Sequence, residues 1–540
     1  MDNMYDDDAE DDDDEEEDAE DGDMFAAWQT ELRERQVALE ERNFDTQQRW
    51  YHADFQQLPR IGMPDWVRRV SVGRWPLAAC GTATGDIYVV NCDSGAILGK
   101  GSTARDQNSY LEDEDTDTDD DAAVSTTLTQ LYGKYDGGGT LAIAVSSAWK
   151  TIIAHTGRTG GVELWKMATQ DDNDTDDDDE TEEEDYREEQ EFKELYSLGT
   201  LLEEVLVTCL AWADDDLWIG TQDGRVLVYT IDDDIDDDDN ETSSLLPSAP
   251  TYEFNQREGT ILSLQIHEEL NVAVVTTSSG VVELFNMDKV EEEAPADDPF
   301  YRRRQSFYPP FDSGRKSSNV FPLCATIVEE IEDDNDDDDD DTDNDNDDNN
   351  DESQRVGYVG ASQGLKNKQK SSTQNNKRRK FSIACGGNDG SIFLQRLRLA
   401  GQGGTGIGST SSYSLLEPEI NWDHPLSKES VRELMPSHQG PCKCIVSPFP
   451  GLLLSGGQDG YVRVWDLTKK HERITITSNQ QDNNDDDDDD DNPSMWALGG
   501  LKVWFGSLCV NESAAYLVMD GADNAISILN FGEKKSREIM

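Results

Sequence analysis

The sequence predicts an all-β fold in which seven four-stranded sheets close into a ring. Three observations carry that prediction. Seven times an apolar run reaches a tight turn of small or polar residues and leaves it as a second run that alternates apolar and polar. Most of these pairs follow another short apolar stretch. Six acidic stretches that would break any sheet fall between the runs rather than inside them.

The turns are the clearest signal. They read LAACGTATGDIYVV around Gly85, TIIAHTGRTGGVELW around Gly161, LWIGTQDGRVLVY around Gly224 and VAVVTTSSGVVELF around Gly280. The last three are FSIACGGNDGSIFL around Gly390, LLLSGGQDGYVRVW around Gly460 and YLVMDGADNAISIL around Asn524. Period-two alternation with β-branched enrichment on both sides of a Gly or Asn turn is the mark of a hairpin. Apolar stretches at 141–145, 205–212, 261–266, 442–446 and 503–510 supply a third strand, and each unit has room for a fourth. One such sheet cannot bury its own faces, and seven copies find their simplest closed solution in a seven-bladed β-propeller.

Turn-to-turn spacing exceeds the ~40–45 residues of an ordinary propeller repeat. Insertions account for the excess, because loop closure costs only about 0.6 kcal/mol per doubling of length. Their composition is extreme. The chain has 540 residues, a formal net charge of −72 and 35% hydrophobic residues. Seven runs, at 1–23, 112–121, 171–191, 232–241, 288–298, 329–352 and 482–491, hold 78 of the 117 acidic residues and only two bases, Arg187 and Lys289. The remaining body is close to neutral. The runs at 171, 232 and 288 are expected after the third strand of a unit and the run at 329 after the first, so these four should fringe one end of the ring. Those at 112 and 482 are expected after fourth strands, at the other end.

The resulting organisation is an acidic disordered tail at 1–23, a helical segment at 24–69, the propeller at 70–530 and a C-terminal tail at 531–540. Disordered insertions are expected near 112–121, 171–191, 232–241, 288–298, 329–380 and 482–491. Residues 24–43 hold good helix formers without Gly or Pro, with Phe25, Trp28 and Leu32 at three- and four-residue spacing. A short N-terminal helix follows, and two roles are open to it: packing along the ring or closing the last blade, and standing exposed as a partner-binding helix.

The unit at 438–466, HQGPCKCIVSPFPGLLLSGGQDGYVRVWD, resembles a WD40 repeat. His438, Ser455, Asp459, Trp465 and the closing Asp466 stand near the spacings of that family. The resemblance implies that His438, Ser455, Asp459 and Trp465 form a buried hydrogen-bonded chain that fixes the blade, with Asp459 also holding its turn. The other six units depart from the pattern. Asp223, Asp389 and Asp523 keep the turn acid, whereas Thr84, Thr159 and Ser279 replace it. At the Trp position only Trp165 matches.

The chain has no P-loop, no dinucleotide fingerprint after a strand, no HExxH and no GxSxG. Gly-rich 401–408 lacks the Lys-Ser/Thr end of a phosphate loop and reads as a flexible linker. His52, His155, His267, His424, His438 and His471 never pair at ligand spacing. Asp341, Asp343, Asp345, Asp347 and Glu352 match the carboxylate positions of an EF-hand loop, but so do Asp172, Asp174, Asp176, Asp178 and Glu183, and neither set has the Gly such a loop needs. No catalytic residue, metal or cofactor is expected. The eight cysteines contain no CxxC pair and read as free thiols.

No window approaches the ~18–20 apolar residues that a membrane span requires, and the N-terminus is acidic where a signal peptide is basic. A soluble chain made in the cytosol is expected. Lys366, Lys368 and Lys370, followed by Lys377, Arg378, Arg379 and Lys380, form a basic cluster. Three readings of it stay open: a nuclear-import signal, an RNA-contacting patch and an intramolecular counterion for the neighbouring acidic run. The expected function is a non-enzymatic protein–protein interaction scaffold of a nuclear complex, with the cytoplasm as the alternative location. Its expected partners are other proteins, basic ones among them, with no direct DNA, RNA or membrane contact. Two alternatives stand beside it: an acidic chaperone or escort for basic proteins such as histones or ribosomal proteins, and a ubiquitin-ligase substrate receptor. Thr468 stands where the docking signature of the last would place Arg.

Overall fold

The structure, a computed structural model, describes residues 17–102, 139–146, 152–158, 160–167, 195–203, 205–231, 246–254, 259–287, 304–309, 320–330, 379–399, 420–422, 425–468, 494–499, 506–522 and 524–532. The five acidic runs at 112–121, 171–191, 232–241, 288–298 and 482–491 lie outside them, as do 1–16 and 331–352.

Helix α1 (Glu17–Tyr51) is longer at both ends than the predicted 24–43. At its end, Thr46 and Trp50 are buried against the ring. Ala53 then takes a left-handed φ of 50°. The N–H of Asp54 reaches Arg49 O at 2.9 Å and that of Ala53 reaches Trp50 O at 3.4 Å, the paired bonds of a Schellman stop.

Two short strands follow, β1 (Gln56–Gln57) and β2 (Ile61–Gly62), and then the blades. Blade one is β3 (Val67–Val72), β4 (Leu77–Thr82), β5 (Asp86–Asn91) and β6 (Ile97–Ser102); blade two is β7 (Ala142–Val145), β8 (Ile152–Thr156), β9 (Val162–Met167) and β10 (Leu195–Leu202). Blade three is β11 (Val207–Ala213), β12 (Asp216–Thr221), β13 (Val226–Thr230) and β14 (Tyr252–Phe254); blade four is β15 (Ile261–His267), β16 (Val272–Thr277), β17 (Val282–Asn286) and β18 (Arg304–Phe307). Blade five is β19 (Pro322–Glu330), β20 (Lys380–Gly387), β21 (Ile392–Leu397) and β22 (Leu426–Leu434); blade six is β23 (Cys442–Phe449), β24 (Leu452–Gly457), β25 (Val462–Asp466) and β26 (Ser494–Leu498). Blade seven is β27 (Leu508–Val510), β28 (Tyr516–Ala522) and β29 (Ala525–Asn530). Its fourth position is filled from the other end of the chain: Gln56 and Gln57 pair with Asn530 and Leu529, and Ile61 and Gly62 with Ile526 and Ala525. The segment before the ring thus closes the last blade.

The first strands touch in order, β3, β7, β11, β15, β19, β23 and β27, and β27 returns to β3. The fold is therefore a seven-bladed β-propeller. Between each pair of neighbouring blades lies one apolar cluster. Middle strands such as β12 and β16 are buried at every position, because a blade is covered on both faces. The alternation expected after the turns is therefore not one of buried and exposed positions: Val226, Leu227, Val228 and Tyr229 of β13 are all buried.

Every predicted turn residue lies between the second and third strand of its blade. Gly85, Gly161, Gly224, Gly280, Gly390 and Gly460 adopt φ of 75–94°, which explains the glycines. In an up-and-down sheet these turns share one end of the ring, here the turn end, with the connectors from fourth to first strands. Connectors after first and third strands open at the opposite end.

This topology corrects one expectation. The run at 482–491 falls between β25 and β26, after a third strand, because the fourth strand of blade six is the short segment SMWAL beyond the run. Five of the six internal runs therefore leave from one end of the ring, and only 112–121, after β6, opens at the turn end. The run expected from 329 also starts later, since Glu329 and Glu330 close β19.

Candidate functional site

The structure brings His438, Ser455, Asp459 and Trp465 together. Trp465 Nε1 donates to Ser455 Oγ at 2.8 Å, Ser455 Oγ lies 2.8 Å from His438 Nε2, and His438 Nδ1 lies 3.0 Å from Asp459 Oδ1. The ends set the polarity, because indole N–H only donates and carboxylate only accepts. Ser455 thus donates to Nε2 of a neutral imidazole, which donates from Nδ1 to Asp459. Burial lowers the His438 pKa, and Asp459 opposes it without prevailing. Burial works to raise the Asp459 carboxyl, but the N–H of Gln439 and the neighbouring His438 outweigh it and hold it below its ordinary value. Asp459 also accepts from Gln439 N at 3.0 Å and Tyr461 N at 3.2 Å, so one carboxylate ties the incoming chain to the turn.

Blade two shows why matching the Trp alone does not build the chain. Its Ser455 position holds His155, whose Nε2 turns to Thr140 Oγ1 at 2.9 Å. The indole N–H of Trp165 is buried and has no partner among the described residues. The same position is Cys80, Ile219, Val275 and Cys385 in blades one, three, four and five, and all four are buried.

Blades one, four, five and seven make the same tie by other means. Thr84 N donates to Asp65 Oδ2 (2.9 Å), Thr260 N to Ser278 Oγ (2.8 Å), Phe321 N to Asn388 Oδ1 (3.1 Å) and Gly506 N to Asp520 Oδ1 (2.9 Å). In five blades the residue two before the turn glycine also bonds the incoming backbone: Ala83 to Trp66, Gln222 to Leu206, Ser278 to Thr260, Asn388 to Phe321 and Gln458 to Pro441. A backbone bond leaves no side-chain signature.

Residues 428–466 match a family model described as WD domain, G-beta repeat. The chain is a WD40-repeat β-propeller. No curated protein sequence matches this WD40 chain. Among solved structures it is similar to that titled "Crystal structure of Chaetomium thermophilum Raptor", at 9% identity and a TM-score of 0.44, over 90% of this chain and 30% of that one. The WD40 chain thus spans under a third of that structure's length.

Of the surfaces the ring presents, α1 is the most unusual. Its base is clamped at the tract end between blades six and seven: Trp50 is fully buried, stacks on Phe531 with centroids 3.6 Å apart, donates from Nε1 to Ala514 O at 2.9 Å and accepts at O from Trp496 Nε1 at 2.8 Å. Arg49 Nη1 donates to Gly532 O. Beyond the clamp every described residue from Trp28 to Asp45 is exposed. Trp28 (56% exposed), Leu32 (50%) and Leu39 (55%) fall on one stripe with Arg35. The segment thus closes the last blade through β1 and β2, while its helix from Trp28 to Asp45 stands exposed.

The basic cluster is divided. Lys377 and Arg378 lie outside the described residues, with Lys366, Lys368 and Lys370. Arg379 is drawn into the ring, where its guanidinium binds Glu329 of blade five and Glu269 in the β15–β16 turn of blade four. These bonds push its pKa up. Lys380 opens β20 opposite Glu330. Sequence reasoning missed Glu269, whose only signal is an acid in a short turn 110 residues away.

Among the described residues no three His, Cys, Asp or Glu side chains are grouped to hold a metal. Both EF-hand-like sets and 401–408 lie outside them. The eight cysteines are free thiols, and burial pushes Cys92, Cys209 and Cys509 up to about 12. No described helix is long and apolar enough to cross a membrane.

Proposed function

We propose that this WD40 propeller is a non-enzymatic scaffold of a nuclear protein complex and that α1 is the element by which it grips a partner. The observation that carries this reading is the combination of a fixed base and an exposed apolar stripe. Trp50 immobilises the helix while Trp28, Leu32 and Leu39 face solvent. A clustered apolar stripe on a helix is the surface that a groove or a second helix covers. Affinity purification at two salt concentrations with mass spectrometry tests it. Partners held by the stripe survive moderate salt; loss of every partner as salt rises would contradict the reading.

An escort for basic proteins is the second reading, favoured by the exit of five acidic runs from the same end of the ring as the α1 base. Contacts of that kind weaken with salt, since exposed charges are screened beyond ~8 Å at physiological ionic strength. The nuclear location rests on the bases around Lys377. Because Arg379 and Lys380 belong to the ring, the import test replaces Lys377 and Arg378 with Ala and leaves their neighbours intact. A tagged protein then moves toward the cytoplasm. A wild type that is never nuclear would remove this part of the proposal.

A further inference from the structure

At the turn end, blades one, two and seven enclose a cavity of about 200 Å³ lined by Trp66, Arg68, Arg69, Thr140, Arg158 and Asp520, among others. Two adjacent strand residues normally point to opposite faces. Here the register slips between Val67, paired with Thr82, and Arg69, paired with Gly81, so that Arg68 is the extra residue of a β-bulge. A bulge re-aims a side chain. Both arginines consequently line one cavity, and Arg158 reaches it from the β8–β9 turn.

Three guanidinium groups meet one carboxylate. Arg69 has structural work: its Nε donates to Leu141 O at 2.9 Å, its Nη1 donates to Arg68 O at 2.8 Å, and it lies near buried Asp520. Asp520 is itself held by Gly506 N at 2.9 Å and Ser507 Oγ at 3.3 Å. Arg68 and Arg158 have no carboxylate within ion-pairing distance among the described residues; burial first, then repulsion from Arg158 and Arg69, lower the Arg68 pKa against an opposing pull from nearby Asp65. Two like charges thus face one cavity, Arg68 half-buried and Arg158 exposed, with no ion-pair partner among the described residues.

We propose that this cavity binds the phosphate of a phosphoserine or phosphothreonine on an extended segment of a partner protein, with Arg68 and Arg158 as its ligands and Arg69 as support. The lining carries two more positive charges than negative ones. A phosphate of charge about −1.5 to −2 neutralises that excess, whereas a carboxylate neutralises half of it. About 200 Å³ admits one side chain and is below the ~300–1,000 Å³ of sites for whole small molecules. A nucleic acid is disfavoured by the net charge of −72, which repels a polyanion, while a single phosphate on a peptide meets only the local field. Five of the six internal acidic runs leave from the far end of the ring.

The test uses the full chain and three fluorescein-labelled nonapeptide pools that differ only at the fixed central residue: phosphoserine, serine or glutamate. The phosphoserine pool binds saturably, at least tenfold tighter than the glutamate pool, and millimolar inorganic phosphate competes with it. Arg158→Ala, at an exposed turn position, weakens this binding at least tenfold with an unchanged melting temperature, and Arg158→Lys restores part of it. Equal binding of the phosphoserine and serine pools, or full binding by Arg158→Ala, would overturn the proposal. So would a single-stranded RNA that binds the same arginines more tightly than the phosphopeptides do. The proposal builds on the scaffold reading, yet the two fail separately: Trp28→Ala leaves phosphopeptide binding intact, and Arg158→Ala leaves capture through α1 intact.

Discussion

Asp459 and Asp223 occupy equivalent turns, but their side chains are 6% and 44% exposed. Asp459→Ala leaves His438 Nδ1 and Gln439 N without their acceptor, which costs about 1–3 kcal/mol. Asp223→Ala loses the bond from Thr221 and an ion pair with Arg225 at the surface, worth at most about 1 kcal/mol. Urea melts of the two variants decide; equal losses would mean that the four-residue chain contributes nothing special. His155 makes a second prediction. Burial lowers its pKa to about 4 from 6.5. Below pH 6.5 the unfolded chain takes up a proton that the native protein refuses until about pH 4, so stability falls across that window by about 3 kcal/mol. Asp520 runs the other way: burial raises it to about 6, so the native form holds a proton that the unfolded chain lacks, and stability rises as pH falls from there. The comparison is therefore a difference, in which His155→Gln flattens the acid-side decline relative to wild type by thermal melts at pH 4.5 and 7. An unchanged slope would contradict it. At this scale the sequence showed what side chains show: His438, Ser455, Asp459 and Trp465 were legible at their spacing. His155 was not, because nothing in the sequence says that an imidazole replaces the Ser455 hydroxyl and leaves Trp165 unanswered.

Among the elements, α1 separates anchoring from recognition. Trp50→Ala removes a fully buried indole from the junction of blades six and seven and costs about 3–5 kcal/mol. Trp28→Ala leaves the melting temperature within a degree or two, since the residue is 56% exposed. Similar losses from both would show that the stripe packs on the ring. Arg379 joins blades four and five at the surface, so Arg379→Ala costs no more than about 1 kcal/mol, and high salt reduces that difference further. A larger, salt-insensitive loss would mean a buried ion pair. The hairpin turns were readable because positive φ demands Gly. The ends of α1 were not, because its last two turns are held by Trp50 against Phe531 rather than by helix propensity. Strand β26 escaped for a similar reason: SMWAL is only five residues long and becomes a strand by pairing with β25 and setting Trp496 beside Trp50.

As a whole molecule the chain is a closed ring whose two ends differ. The tract end carries the α1 base and the exits of five acidic runs, and the turn end carries the arginine-lined cavity. The number of blades was legible from seven turns, and the near-neutral body from the confinement of the acid. The closure of blade seven by β1 and β2 was foreseen only as one option, since strands of two residues have no sequence pattern, and the misplaced run at 482–491 followed from the same limit. The claim at the centre of this account is that α1 is the gripping element of a scaffold. Photo-crosslinking from p-benzoyl-phenylalanine placed at Leu32 tests it most directly, with the same probe at Glu253, an exposed residue on an outer strand, as the control. The account predicts that position 32 captures one or a few proteins that persist at moderate salt and are absent from position 253. Capture of nothing at position 32, or of the same proteins from both positions, would contradict it.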